Sequence, residues 1–257
     1  MNQTVTILDG KNKIKTLSVE YKPSAIIANE FESARELGKI VAQLGYEVGY
    51  TTNPWPRDYM VSFNEHYISR GEGGRKIAEG GCFVFGKDYL IFSEEIYFSN
   101  EADRLKRKLQ KTLEQFFKVP AYSVGSYCSR GGSERHIDLT LLTIPQRNML
   151  IVDENHYKQI PKDFKHIAKA QNLELVIAKN CQLWALNCLV LDYQGSPVVI
   201  ANEKTRPFLK LLKELKLNYA TVLADQSPEL GGSVRCRTNT AANLTLFDQF
   251  GFHYRKK

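Results

Sequence analysis

Apolar residues fall into two spacings along this chain. Some form short consecutive runs rich in β-branched and aliphatic side chains, and others recur every three or four positions. The first spacing predicts buried strands and the second amphipathic helices. Ser24 to Ala28 reads as a strand, Glu30 to Leu44 as a helix with Phe31, Ala34, Leu37, Ile40 and Val41 on one face, and Glu47 to Tyr50 as a second strand. The order then recurs: strand Tyr89 to Ser93, helix Glu101 to Phe117, strand Ala121 to Val124; strand Met149 to Val152, helix Pro161 to Gln171, strand Leu173 to Ala178; strand Pro197 to Ala201, helix Thr205 to Leu215, strand Tyr219 to Leu223. Pro161 and Pro207 occupy early helical positions, where a missing amide hydrogen is harmless. Recurrence at roughly fifty residues predicts similar α/β units arranged around a centre, not one doubly wound sheet. No linker or low-complexity stretch interrupts the pattern, so residues 1–257 are read as a single domain.

Composition narrows the classes. A chain of 257 residues that is 43% hydrophobic has ample material for a core. The five cysteines, at 82, 128, 181, 188 and 236, are odd in number, widely spaced and lack a CxxC pair, so neither a disulfide framework nor a zinc site is indicated. No apolar run approaches the roughly 20 residues that span a bilayer. The start of the chain lacks the apolar stretch of a signal peptide, and the expectation is a cytoplasmic protein without a membrane partner. The net charge of +7 raises nucleic acid as a partner. Much of that charge, however, lies in 104–111, 204–216 and 255–257, where apolar residues keep helical spacing, so it reads as solvated helix faces and no nucleic acid partner is expected.

The unusual polar clusters fall between the periodic segments. In 51–58 two prolines surround Trp55 and stiffen the approach to Arg57 and Asp58. Glu79 precedes Gly80, Gly81 and Cys82 at the entrance to a strand from Phe83 to Phe85. His136 and Asp138, two apart in a segment read as extended, would share a face, a spacing suited to a proton carrier tuned by a carboxylate. Of the other histidines, His66 and His156 read as turn residues, His166 as helical and His253 as near-terminal, and none is assigned a role. Finally, Gly231 and Gly232 lead to Cys236 between Arg235 and Arg237, which favour the reactive thiolate where either points at the sulfur. Taken singly, each cluster also fits a structural role: a surface ion pair, a simple turn, a structural His-x-Asp, a packed and inert thiol.

In their order, Trp55-x-Arg57-Asp58, Glu79-Gly80-Gly81, His136-Ile137-Asp138 and the Gly231-to-Cys236 run resemble the guanidine-modifying pentein superfamily. Arginine and agmatine deiminases, dimethylarginine dimethylaminohydrolases and amidinotransferases belong to it. The resemblance implies an α/β propeller of five ββαβ units around a pseudo-fivefold axis with a central polar site. It implies Cys236 as nucleophile, His136 as general acid and base, Glu79 as the group steadying that histidine, and Asp58 and Asp138 as ligands of a substrate guanidinium. Carboxylates match the planar fork of guanidinium donors, which holds the carbon before the thiolate. The implied activity is hydrolysis of arginine or a related guanidino compound through an S-alkylthiouronium. Amidino transfer is the alternative if an amine replaces water, and a non-catalytic binding protein, like the superfamily's ribosome-binding member, is the further one. Arg57 and Arg235 are placed with substrate binding, pairing with a substrate carboxylate or else serving the thiolate. The expected partner is a small guanidino substrate, with no metal and no organic cofactor; oligomeric state is not readable.

The sequence departs from the resemblance in three places. Cys82 stands where many hydrolase members carry aspartate. Arg235 precedes the nucleophile as in arginine deiminases, where agmatine deiminases have histidine. Leu230 leads directly into Gly231, making the run before the nucleophile shorter than usual.

Overall fold

A strand that is apolar throughout must be covered on both faces. Ser24–Ala28, Leu90–Ser93 and Met149–Asp153 are buried at every residue, and each is the middle strand of its sheet. The computed structural model describes residues 1–8, 14–30, 32–69, 79–94, 102–125, 127–129, 132–134, 136–182, 184–224 and 233–256.

Five sheets share one pairing rule: a first strand runs antiparallel to the middle strand, which runs parallel to a third. In three of them the strands follow one another along the chain. They are Phe83–Phe85, Leu90–Ser93 and Ala121–Val124; Leu141–Ile144, Met149–Asp153 and Glu174–Ala178; and Leu189–Tyr193, Ser196–Asn202 and Asn218–Val222. The parallel step in each is crossed by helices: Ala102–Phe117 in the first, Glu154–Gln159 and Pro161–Ala170 in the second, Arg206–Glu214 in the third. The other two sheets are assembled from distant segments. Thr238–Ala241, near the C-terminus, pairs antiparallel with Ser24–Ala28, which runs parallel to Glu47–Thr51 across the helix Ala34–Gln43. Met60–Phe63 pairs antiparallel with His66–Ser69, which runs parallel to the N-terminal strand Asn2–Leu8. Ile14–Glu20 and Tyr254–Lys256 extend these two sheets by one antiparallel strand each.

Apolar clusters join neighbouring sheets. Ile27 packs with Leu191 and Ile200, Val199 with Leu142 and Ile151, Leu141 and Val152 with Val84 and Ile91, Phe83 and Leu90 with Val61 and Ile68, and Met60 and Tyr67 with Ile26. On Arg206–Glu214 the buried residues are Phe208 and Leu212, one turn apart, each contributing about 2 kcal/mol. Lys204, Arg206, Lys210, Lys213 and Lys216 around them are exposed, so this basic run is a solvated face. Among the described residues no helix is long and apolar enough to cross a membrane.

The four β-α-β rounds read from periodicity match the middle and third strands of four sheets, with ends shifted by a few residues. The helix expected from Glu30 begins at Ala34, after a turn; Phe31 and Glu101 lie outside the described residues. The strand expected through His136 and Asp138 is not formed: Gly132–Glu134 ends a short hairpin, and Ile137–Leu139 is a 3-10 turn. His66 opens a strand and His156 lies in the helix Glu154–Gln159, so neither is a turn residue. His156 is fully buried, with Nε2 2.9 Å from the Gly125 carbonyl and Nδ1 2.8 Å from Thr140 Oγ1. A carbonyl only accepts, so Nε2 carries the proton and the threonine hydroxyl donates to Nδ1.

Candidate active site

Each of the five sheets is led by a tight turn immediately before its first strand. Pro56–Tyr59 precedes Met60–Phe63, Gly80–Cys82 precedes Phe83–Phe85, and Ile137–Leu139 comes before Leu141–Ile144. A turn closed by Asn187 N–H donating to the Trp184 carbonyl (3.0 Å) precedes Leu189–Tyr193, and one closed by Thr238 N–H on the Arg235 carbonyl (3.1 Å) begins Thr238–Ala241. These turns carry Arg57 and Asp58, Glu79 and Cys82, His136 and Asp138, Asn187, and Cys236 respectively.

The turns approach so closely that two positions exclude a side chain. A Cβ on Gly80 would overlap the Arg57 carbonyl oxygen, and one on Gly81 would lie 2.6 Å from the His136 ring and 3.1 Å from Asp138 Oδ1. The Glu-Gly-Gly motif is therefore a packing requirement between three turns as well as a source of a carboxylate. Trp55 has a comparable explanation: the Arg237 guanidinium lies 4.0 Å from the centre of its ring and donates to the Pro54 carbonyl at 3.1 Å. Asn239 Nδ2 donates to the carbonyls of Pro56 (3.1 Å) and Met60 (2.9 Å), fastening the Asp58 turn to the strand that follows Cys236.

His136 Nε2 is 3.0 Å from Glu79 Oε2. Burial pulls the imidazole pKa down, but the Glu79 hydrogen bond and the charges of Asp58, Asp138 and Glu79 outweigh it and raise the value to about 8. The histidine is thus a proton donor at neutral pH. Burial, and then the neighbouring Asp138 and Asp58 charges, push the Cys236 thiol well above its ordinary pKa, against hydrogen bonds from Ser233 and Asn187. The flanking arginines do not reverse this, so in the unliganded site the thiol keeps its proton. Asp58 is likewise raised by burial, with His136 acting in the opposite sense.

Among the described residues three carboxylate oxygens are buried without a hydrogen-bond partner: Asp58 Oδ1 and both oxygens of the fully buried Asp138. Among the described residues the Asp138 carboxylate meets Arg235 Nε in an ion pair at 3.5 Å. Arg57 and Arg235 each donate Nη2 to the Phe83 carbonyl at 3.3 Å. Burial, with Arg235 nearby, lowers the Arg57 pKa to about 9, while Asp138, Asp58 and Cys236 oppose the fall. A cavity of about 170 Å³ is lined by Arg57, Arg235, Cys188, Asn239 and Thr240; Cys236, Asp58 and Asp138 are not in its wall. The side-chain cluster, not this cavity, locates the chemistry.

All seven residues selected from sequence lie on four of the five leading turns. The fifth turn holds the residue that sequence reasoning missed. Asn187 is fully buried, its Oδ1 accepts from Ser233 N–H (3.0 Å) and Cys236 N–H (3.2 Å), its Nδ2 donates to the Asp138 carbonyl (3.3 Å), and its own carbonyl accepts from Arg235 N–H (3.3 Å). One side chain therefore sets the thiol turn against the aspartate turn. Trp184-Ala-Leu-Asn-Cys188 carries no recognisable motif, and only its position before a first strand signals the role. Leu230, Gly231 and Gly232 lie outside the described residues.

No protein-family model matches the chain, and no curated protein matches it. Solved structures do. A dimethylarginine dimethylaminohydrolase adduct with 4-chloro-2-hydroxymethylpyridine matches at 12% identity and TM-score 0.60, over 86% of this chain and 100% of that one. Inosamine-phosphate amidinotransferase StrB1 from Streptomyces griseus matches at 11% identity and TM-score 0.58, over 80% and 78%. An arginine dihydrolase from the ornithine-ammonia cycle in cyanobacteria matches at 10% and TM-score 0.59, over 85% of this chain and 39% of that one, so the chain spans about two fifths of its length. These are members of the pentein superfamily, and the likeness establishes a mixed α/β fold shared with them.

Proposed function

On the premise of that shared fold, we propose that this chain is a cysteine-dependent enzyme that attacks the guanidinium carbon of arginine or a related guanidino compound. The observation that carries the reading is the set of buried carboxylate oxygens on Asp58 and Asp138 that, among the described residues, accept no hydrogen bond, beside a thiol that burial and then those same carboxylates keep protonated. Buried acceptors of this kind call for a cationic guest rich in donors, and a guanidinium supplies planar N–H groups in matching directions. Its positive charge also offsets the carboxylates, so binding itself lowers the cost of ionising Cys236. The five sheets, joined in sequence by shared apolar clusters, are taken to ring this site as a five-unit propeller within one domain. Arg57 and Arg235, committed to Phe83 and Asp138, serve as counter-charge to the aspartates, not as arms for a substrate carboxylate.

In the proposed reaction the bound guanidinium drives the Cys236 proton out to solvent, and the resulting thiolate forms a bond to the guanidinium carbon as the carbon–nitrogen π pair moves onto nitrogen. A carbon–nitrogen bond then breaks, and the departing nitrogen takes its proton from His136, leaving an S-alkylthiouronium. The neutral histidine next accepts a proton from water as the oxygen adds to the same carbon. The carbon–sulfur bond breaks with its electron pair returning to sulfur, and the adduct's hydroxyl proton passes to the thiolate as the ureido product leaves; ammonia or an amine, released in the first half, is the other product. Amidino transfer uses the same intermediate, with an amine attacking in place of water. It stands beside hydrolysis because the amidinotransferase and dimethylaminohydrolase structures match comparably well.

Incubation with arginine, methylated arginines, agmatine and guanidino acids, with and without an acceptor amine, should yield a ureido product or a new guanidino compound. A haloacetamidine should leave a mass adduct on Cys236. Absence of both turnover and adduct would sink the enzyme reading in favour of a binding protein.

A further inference from the structure

We propose that Glu79, Cys82 and His136 form a binding site for a divalent cation of the zinc class. The 3-10 turn Gly80–Cys82 is closed by Cys82 N–H donating to the Glu79 carbonyl at 2.9 Å. Glu79 is the extended residue that enters this turn, and its carboxylate and the Cys82 thiol lie within 4.8 Å of each other. His136 enters from the neighbouring turn, with Nε2 3.0 Å from Glu79 Oε2, and the donor atoms of the three residues lie within 4.8 Å of one another. Around a tetrahedral zinc ion with bonds of about 2.0–2.3 Å, donor atoms sit about 3.2–3.8 Å apart, so closing the set needs side-chain shifts of about 1 Å.

The donor chemistry selects the ion. A thiolate, an imidazole and one carboxylate suit zinc or cobalt, whereas magnesium and calcium require all-oxygen surroundings. Three protein donors leave a fourth position for water. Cys82 is only 3% exposed, while the His136 side chain is 23% exposed and provides the approach. On binding, the Cys82 thiol loses its proton and the ion replaces the proton between His136 and Glu79. An occupied site would remove His136 from proton transfer and so inhibit the enzyme. That consequence rests on the proposed activity, whereas the metal site itself does not.

The test is metal binding measured directly on chelator-stripped protein. Zinc titrated against a chromophoric chelator should load one equivalent per chain, and cobalt should give a thiolate-to-metal charge-transfer band. Cys82→Ser should weaken zinc by about a hundredfold or more and remove the band, while Cys236→Ser should retain both. Failure of the wild-type chain to take up one equivalent, a Cys82→Ser variant as tight as wild type, or loss of the site in Cys236→Ser would each overturn the proposal. The cobalt band on the wild-type chain keeps the test decisive should Cys82→Ser fold poorly. Turnover of the stripped protein, assayed separately, reports on the enzymatic reading alone.

Discussion

Cys82 and Cys236 occupy equivalent places: each lies at or near the end of a tight turn leading into the first strand of a sheet, and each is 3% exposed. Their surroundings differ. Cys236 has its amide held by Asn187 and its thiol set near Asp138 and Asp58. The Cys82 thiol lies within 4.8 Å of donor atoms of Glu79 and His136. On the proposed readings, one thiol serves a cationic carbon and the other a metal ion. The residue type and the turn do not settle a cysteine's role here; the side chains offered by neighbouring turns do.

The comparison breaks most sharply on Cys236→Ser, which should lower turnover by at least about a thousandfold with the fold intact. Surviving activity would move the nucleophile elsewhere. Next come substitutions of the histidine pair: His136→Asn should cost about 10²–10⁴ in kcat. Because the His136 pKa is raised from 6.5 to about 8 in the folded chain, its contribution to stability is full below pH 6.5 and is lost as pH rises through 8. That is at most about 2 kcal/mol. The melting temperature should therefore fall across this window, and Glu79→Gln should flatten the fall; an unchanged profile would contradict the assigned pairing.

Asp138→Asn should act in opposite directions on thiol reactivity and on substrate affinity. Losing a carboxylate that holds the thiol protonated should raise the rate of iodoacetamide labelling of Cys236 at neutral pH by about tenfold, while KM for a guanidino substrate rises. Labelling no faster than wild type in a variant that melts as a folded protein would contradict the charge effect assigned to Asp138. Asn187→Ala leaves two buried amides, of Ser233 and Cys236, without their acceptor and should destabilise the chain by about 1–3 kcal/mol in denaturant titrations. The smallest effect concerns the other cysteine: Cys82→Ser should leave the haloacetamidine adduct on Cys236 intact, and loss of that adduct would merge the two sites into one.

Much of the scaffold was legible because burial on both faces writes itself into consecutive apolar runs such as Met149–Asp153, and one-sided burial into helical spacing such as Phe208 and Leu212. The N-terminal hairpin was not, since Asn2–Leu8 and Ile14–Glu20 are mostly polar and gain their definition by pairing. The Asp138 turn was misread as a strand because a 3-10 turn of three residues has no period of its own. Cys236, His136, Glu79, Asp58 and Asp138 could be selected because each stands in a recognisable motif. Asn187 could not, because its partners at 138, 233 and 236 are remote in sequence and its own segment is ordinary.

The amino-acid order by itself determined the repeating strands and helices and the inventory of reactive groups, since these depend on local spacing and residue type. Only the tertiary structure decided how those groups meet. Strand Thr238–Ala241 pairs with Ser24–Ala28 across almost the whole chain, and Gly80 and Gly81 let three turns pack against one another. That packing sets what the thiol feels: burial, and then Asp138 and Asp58, hold the Cys236 proton on, and spacing along the chain carries no record of such through-space surroundings.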